Sequence, residues 1–119
     1  MVYIAIILFL FAAVFGLTIL AAVLQNKKTP KPAVVFHGSL VFIAFFILIS
    51  YTAATYAHTG HVPTLLLTSL ILFLIAALGG LTLLTIDMSN KRIPKLLAVI
   101  HPLLAVTAVV ILIFYALHG

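Results

Sequence analysis

The chain contains no cysteine and one side-chain carboxylate, Asp87, among 119 residues. Without thiols there is no disulfide scaffold, no thiolate-held zinc or iron–sulfur cluster and no cysteine nucleophile. A lone carboxylate excludes chemistry that needs two carboxyl groups facing each other. Charge is scarce as well: six Lys or Arg bring charged residues to 6% of the chain, while 66% is hydrophobic. A water-soluble domain carries about a quarter charged residues, so the solvent of this chain is lipid. What remains for chemistry is five histidines, four tyrosines, some hydroxyls and whatever a bound group brings.

Four apolar stretches stand between three polar breaks, over Val2–Gln25, Pro32–Ala57, Val62–Ile86 and Pro94–Leu117. Each reaches the 20 or so residues that span a hydrocarbon core of about 30 Å at 1.5 Å per residue. Each is read as a transmembrane helix, and the expected fold is an all-α membrane bundle of four. The first stretch has neither a basic leader nor a small-residue cleavage site, so it is expected to be retained. Lys27, Lys28 and Lys31 fill the first break and Lys91, Arg92 and Lys95 the third; the middle break and both termini carry no Lys or Arg. The positive-inside rule then makes loops 26–31 and 90–95 cytoplasmic and puts both termini outside, the expectation for a multi-pass protein of a bacterial inner membrane. The net charge of +5 is accounted for by this topology and by anionic headgroups, and no nucleic-acid partner is expected.

The most informative feature is an internal repeat. Residues 7–51 match residues 71–115 without a gap, with identity at 22 of the 45 aligned positions. Leu and Ile identities count for little in apolar sequence. Gly16/Gly80, Thr18/Thr82, Asn26/Asn90, Pro30/Pro94, His37/His101 and Tyr51/Tyr115 count for much. A repeat unit of two helices crosses the membrane in the same sense in both copies, which implies a pseudo-twofold axis along the membrane normal. Short loops favour an up-down-up-down bundle of two tandem hairpins. In the second stretch Leu40, Ala44, Leu48 and Tyr51 follow His37 at steps of 3, 4, 4 and 3, which keeps them on one helix face. Leu104, Ala108, Leu112 and Tyr115 follow His101 in the same way. This face carries the small and polar residues and is expected to look inward, setting the two histidines towards each other.

An ionisable side chain within a span is read as a functional site with a partner. Two imidazoles are too few for a zinc site, which takes three or four protein ligands. They suffice for haem, whose macrocycle supplies four nitrogens and leaves two axial positions. His37 and His101 are therefore expected to be axial ligands of b-type haem, one haem being favoured and two allowed. Gly16 and Gly80 offer clearance for a flat macrocycle, or close helix packing. Thr18 and Thr82 lie near the depth of the histidines and offer an acceptor for the second imidazole N–H, against a hydroxyl bonded one turn back along its own helix. Lys31 and Lys95 stand where propionates would emerge, or serve topology alone.

The opposite end carries His58, His61 and His118, which have no repeat mates. They offer a second haem site, a metal site or contacts to a quinone headgroup, against solvation at the membrane edge. Tyr51 and Tyr115 lie 14 residues beyond the matched histidines and are read as aromatic-belt residues, against a hydrogen bond to a second cofactor or to each other. Asp87 is expected to pair with a cation of the loop that follows it.

Four helices with histidines on the second and fourth, and basic loops, resemble the small membrane-bound b-type cytochromes. The resemblance implies haem b and electron transfer to or from a quinone or another redox partner. Many such cytochromes carry a second histidine pair 14 residues on, where this chain has Tyr51 and Tyr115. Two alternatives stay open: a non-catalytic accessory or assembly subunit of a larger membrane complex, and a metal-binding or transport bundle; as partners, a homo-oligomer or the other subunits of a larger complex are both allowed.

Overall fold

A computed structural model describes residues 1–118 and is all-helical. Helix α1 runs over Val2–Leu24, α2 over Lys31–Thr59, α3 over Thr64–Met88 and α4 over Lys95–His118. All four are long and apolar enough to cross a membrane. The structure is 48 Å long and 22–23 Å across, enough to pass a membrane of about 40–45 Å with its headgroup layers.

Helix ends are written in the loops. Asn26 and Asn90 take left-handed backbone conformations, with φ of 57° and 55°. At each, the next amide reaches back to the helix, Lys27 N–H to the Ala22 carbonyl at 2.9 Å and Lys91 N–H to the Ile86 carbonyl at 3.3 Å. That is the Schellman closure, and Asn is the residue other than Gly that most readily takes this conformation. Pro30 stands at the N-cap of α2 and Gly60 ends it with φ of 76°. A short turn then leads to Pro63 at the head of α3.

α1 packs along α2 and α3 along α4; α1 also meets α4, and α2 meets α3 least. The core is made of small side chains and a few large ones. Ala5, Ala44, Leu48, Leu66, Ser69, Ala108 and Leu112 are fully buried, and Phe9 stacks on Phe73 with ring centres 4.0 Å apart. Phe42, Phe46 and Leu96 lie open on the surface, compatible with contact to a lipid bilayer. The face expected to look inward does so, since Ala44, Leu48, Ala108, Leu112 and Tyr115 are buried. Buried positions also match 64 apart outside the segment of sequence identity: Val2 with Leu66, and Ala5 with Ser69.

Candidate functional site

His37 leaves the second turn of α2 and reaches α1, where its Nδ1 lies 2.8 Å from the Ala12 carbonyl oxygen. His101 does the same from α4 to α3, with Nδ1 2.8 Å from the Ala76 carbonyl oxygen. A carbonyl only accepts, so Nδ1 carries the proton in both rings; in a neutral imidazole this leaves the lone pair on Nε2. Each carbonyl uses its second lone pair for this, its first being engaged in the helix. The two rings stand 6.3 Å apart between centres, at 86° to each other.

The glycines explain how the rings reach the carbonyls. A Cβ at Gly16 would stand 3.1 Å from His37 Cε1, and one at Gly80 would stand 3.0 Å from His101 Cε1. Four residues after each accepting alanine, the missing side chain opens the groove above the carbonyl. Gly16 and Gly80 thus make room for the imidazoles themselves; the space expected for a macrocycle or for close helix packing is taken up by the His37 and His101 side chains. Gly79 has no such role, because a Cβ there would meet His101 Nδ1 at an ordinary 3.8 Å.

Thr18 and Thr82 do not hold the histidines. Both are exposed, and their hydroxyls donate one turn back, to Val14 at 3.2 Å and Leu78 at 2.9 Å. An exposed hydroxyl in a lipid-facing position satisfies itself on its own helix, and the backbone of Ala12 and Ala76 takes the expected role.

Asp87 also departs from expectation. Its carboxylate accepts from Thr29 at 2.9 and 3.0 Å and from Lys31 Nζ at 2.9 Å. Its partners come from the first loop and the head of α2 instead of the loop that follows it. Lys31 is thereby committed to Asp87, while Lys95 is exposed. The signal was present in the repeat: Asp87 matches Val23, and Thr29 matches Ile93. Each half supplies one of the two polar replacements, as expected when the two positions touch.

Tyr51 and Tyr115 face each other across the interior with hydroxyls 2.9 Å apart, and Tyr115 is buried. They are core residues, not a belt. The histidines of the opposite end each have their own surroundings. His58 is exposed, His61 folds onto its own turn beside Thr59, and His118 lies against Phe114. Among the described residues no three His, Cys, Asp or Glu side chains gather to hold a metal ion.

With metal–nitrogen bonds of about 2 Å and about 1.1 Å from nitrogen to ring centre, two imidazoles on opposite sides of one metal have centres about 6.2 Å apart. The His37 and His101 ring centres, 6.3 Å apart, are close to that spacing. The surrounding space is narrower than the donors suggest. Phe9 and Phe73 precede the accepting alanines by three residues, about 4.5 Å along the helix, and their stack closes the path between α1 and α3. A macrocycle between the imidazoles requires that stack to part. Two shallow surface pockets lie elsewhere, one on α1 around Phe11 and one between Lys31 and Asp87. Comparison with known family models, curated proteins and solved structures returns no match.

Proposed function

We propose that this chain is a b-type haem protein of a bacterial inner membrane, passing electrons to or from a quinone or another redox partner without bond-making chemistry of its own. The observation that carries this reading is the matched imidazole pair, 6.3 Å between ring centres, with each Nδ1 tied to a backbone carbonyl. Second-site hydrogen bonds of this kind fix the tautomer and ring direction of metal-bound histidines. Haem, when bound, supplies the one-electron chemistry; His37 and His101 hold the iron, and Ala12 and Ala76 orient them. Lys95 is open to a propionate, and Lys31 becomes so when it leaves Asp87.

The reading includes an up-down-up-down bundle whose pseudo-twofold axis runs along the membrane normal. Phe9–Phe73, His37–His101 and Tyr51–Tyr115 support it, because a residue meets its own mate only near such an axis. The basic loops face the cytoplasm and the termini the outside. A visible spectrum of the purified protein is the test. A Soret band is expected, lost in the His37→Ala, His101→Ala double variant; a colourless protein, or a band indifferent to both substitutions, overturns it.

The Phe9–Phe73 stack favours a second reading, an accessory or assembly subunit in which the histidines only tie helices together. Such ties contribute about 0.6–2 kcal/mol each. A colourless protein that keeps stoichiometric partners in mild detergent supports this one.

A further inference from the structure

The one side-chain carboxylate of the chain stands among six Lys or Arg, and it lines an open pocket. At the basic end of the seam between α2 and α3, Lys31, Val34, Val35, Asp87, Met88 and Asn90 surround a space of about 390 Å³, within the range of small-ligand sites. Lys31 Nζ donates to Asp87 at 2.9 Å, and the buried Thr29 hydroxyl reaches both carboxylate oxygens. An ammonium has three donors and a carboxylate about four acceptor sites, so neither partner is saturated by these bonds. The Lys31 side chain is 64% exposed and that of Asp87 16%, and Asn90 adds an exposed amide. The pair joins the head of α2 to the last turn of α3, which is headgroup depth in a structure 48 Å long. Val34 and Val35 lie about one turn further towards the hydrocarbon.

We infer that this pocket binds one phospholipid whose headgroup is a zwitterion ending in an ammonium group. The phosphate accepts from Lys31 and Asn90, and the ammonium donates to Asp87. Phosphate and ammonium stand two carbons apart in such a headgroup, so they lie head to tail along the Lys31–Asp87 pair while that pair stays intact. Charge selects this headgroup. Lys27, Lys28, Lys91, Arg92 and Lys95 are exposed around the same end; they draw anionic headgroups to any part of it and repel a free amine. A neutral headgroup that carries both charges needs a place where both are offered, and the sole carboxylate creates one. Exposed Val35 and Met88 give the acyl chain an apolar wall, which commits the pocket to lipid over the free headgroup. In the repeat, Lys31, Val35 and Asn90 correspond to Lys95, Val99 and Asn26, whereas Asp87 corresponds to Val23, so the mate seam lacks the acceptor for the ammonium. The inference is independent of what His37 and His101 hold.

Native mass spectrometry of the full chain in mild detergent, titrated with dioleoyl lipids, tests the site. One phosphatidylethanolamine is expected to bind at least fivefold more tightly than phosphatidylcholine, whose trimethylated nitrogen has no N–H to donate. Asp87→Asn, checked for helix content by circular dichroism, is expected to bring the two lipids within twofold. Asn90→Gly keeps the left-handed backbone and is expected to weaken both lipids about threefold, because the phosphate is common to them. Equal binding of the two lipids by the wild type overturns the site, as does a preference that survives Asp87→Asn. Displacement of the bound lipid by an equal amount of phosphatidylglycerol also overturns it, in favour of general attraction to the basic loops. Should Asp87→Asn fail to fold, the wild-type ranking and Asn90→Gly decide, and unchanged affinity in Asn90→Gly counts against the site. Glycerophosphoethanolamine, the same headgroup without acyl chains, is expected to leave the lipid in place at about a hundredfold excess. Displacement by it overturns the commitment to lipid.

Discussion

Residues that meet their own repeat mates differ from residues that meet strangers. Phe9 and Phe73, His37 and His101, and Tyr51 and Tyr115 touch each other, and each pair is identical. Identity also holds where each copy serves its own hairpin, as at Gly16/Gly80 beside that hairpin's histidine and Asn26/Asn90 at its loop. Other positions diverge, with Val23 against Asp87, Ala5 against Ser69 and Gly38 against Pro102. A residue paired with its mate can change only if the new side chain suits a copy of itself or both copies change. A residue paired with a stranger needs to suit only one neighbour.

The sharpest way to break this contrast is to remove a self-meeting side chain. Phe9→Ala is expected to cost about 3–5 kcal/mol, read as unfolding free energy in mixed micelles, whereas Phe11→Ala, on the exposed face, is expected to cost almost nothing. Equal losses would deny the matched pairs their special standing. Gly80→Ala drives a methyl into His101 and is expected to cost about 1–3 kcal/mol. Gly79→Ala, in ordinary contact, is expected to gain about 0.5–1 kcal/mol from reduced backbone freedom in the unfolded chain. Detergent stability of the two variants, which change adjacent glycines, decides between a packing role and an approach role. Asp87→Val strands the buried Thr29 hydroxyl and is expected to cost about 1 kcal/mol. Adding Thr29→Ile recreates the Val23–Ile93 combination of the other half, and a double-mutant cycle should recover most of the loss. The smallest effect is expected at Ser69, whose hydroxyl donates to the Ala108 carbonyl at 3.0 Å. Ser69→Ala restores the residue of its mate, Ala5, and should cost about 0.6 kcal/mol in the same unfolding measurement.

Helix number, helix limits and the inward face of α2 and α4 were legible because apolar run length and 3.6-residue spacing are properties of the chain alone. The histidine pair was legible because the repeat marks it twice. What escaped was the partner of each polar group. Thr18 is a plausible acceptor at the right depth, yet its angle on the helix points it into lipid, and depth alone does not give that angle. The Ala12 and Ala76 carbonyls were hidden because a backbone acceptor leaves no residue type to notice. Gly16 and Gly80 were the visible trace of them, recognised as space for a macrocycle or for close helix packing, while the imidazoles reach into it. The Tyr51–Tyr115 bond was obscured because tyrosine near a helix end has two good uses, and packing chooses between them.

The 86° between the imidazole planes has a source outside the pair. Each ring is turned by the carbonyl of its own hairpin, Ala12 for His37 and Ala76 for His101, so the crossing angle is set by how the two hairpins are docked. A shift of one hairpin against the other turns one ring relative to its mate while both hydrogen bonds stay intact. The angle between the rings is therefore a gauge of hairpin docking, read at the two side chains that the repeat places face to face.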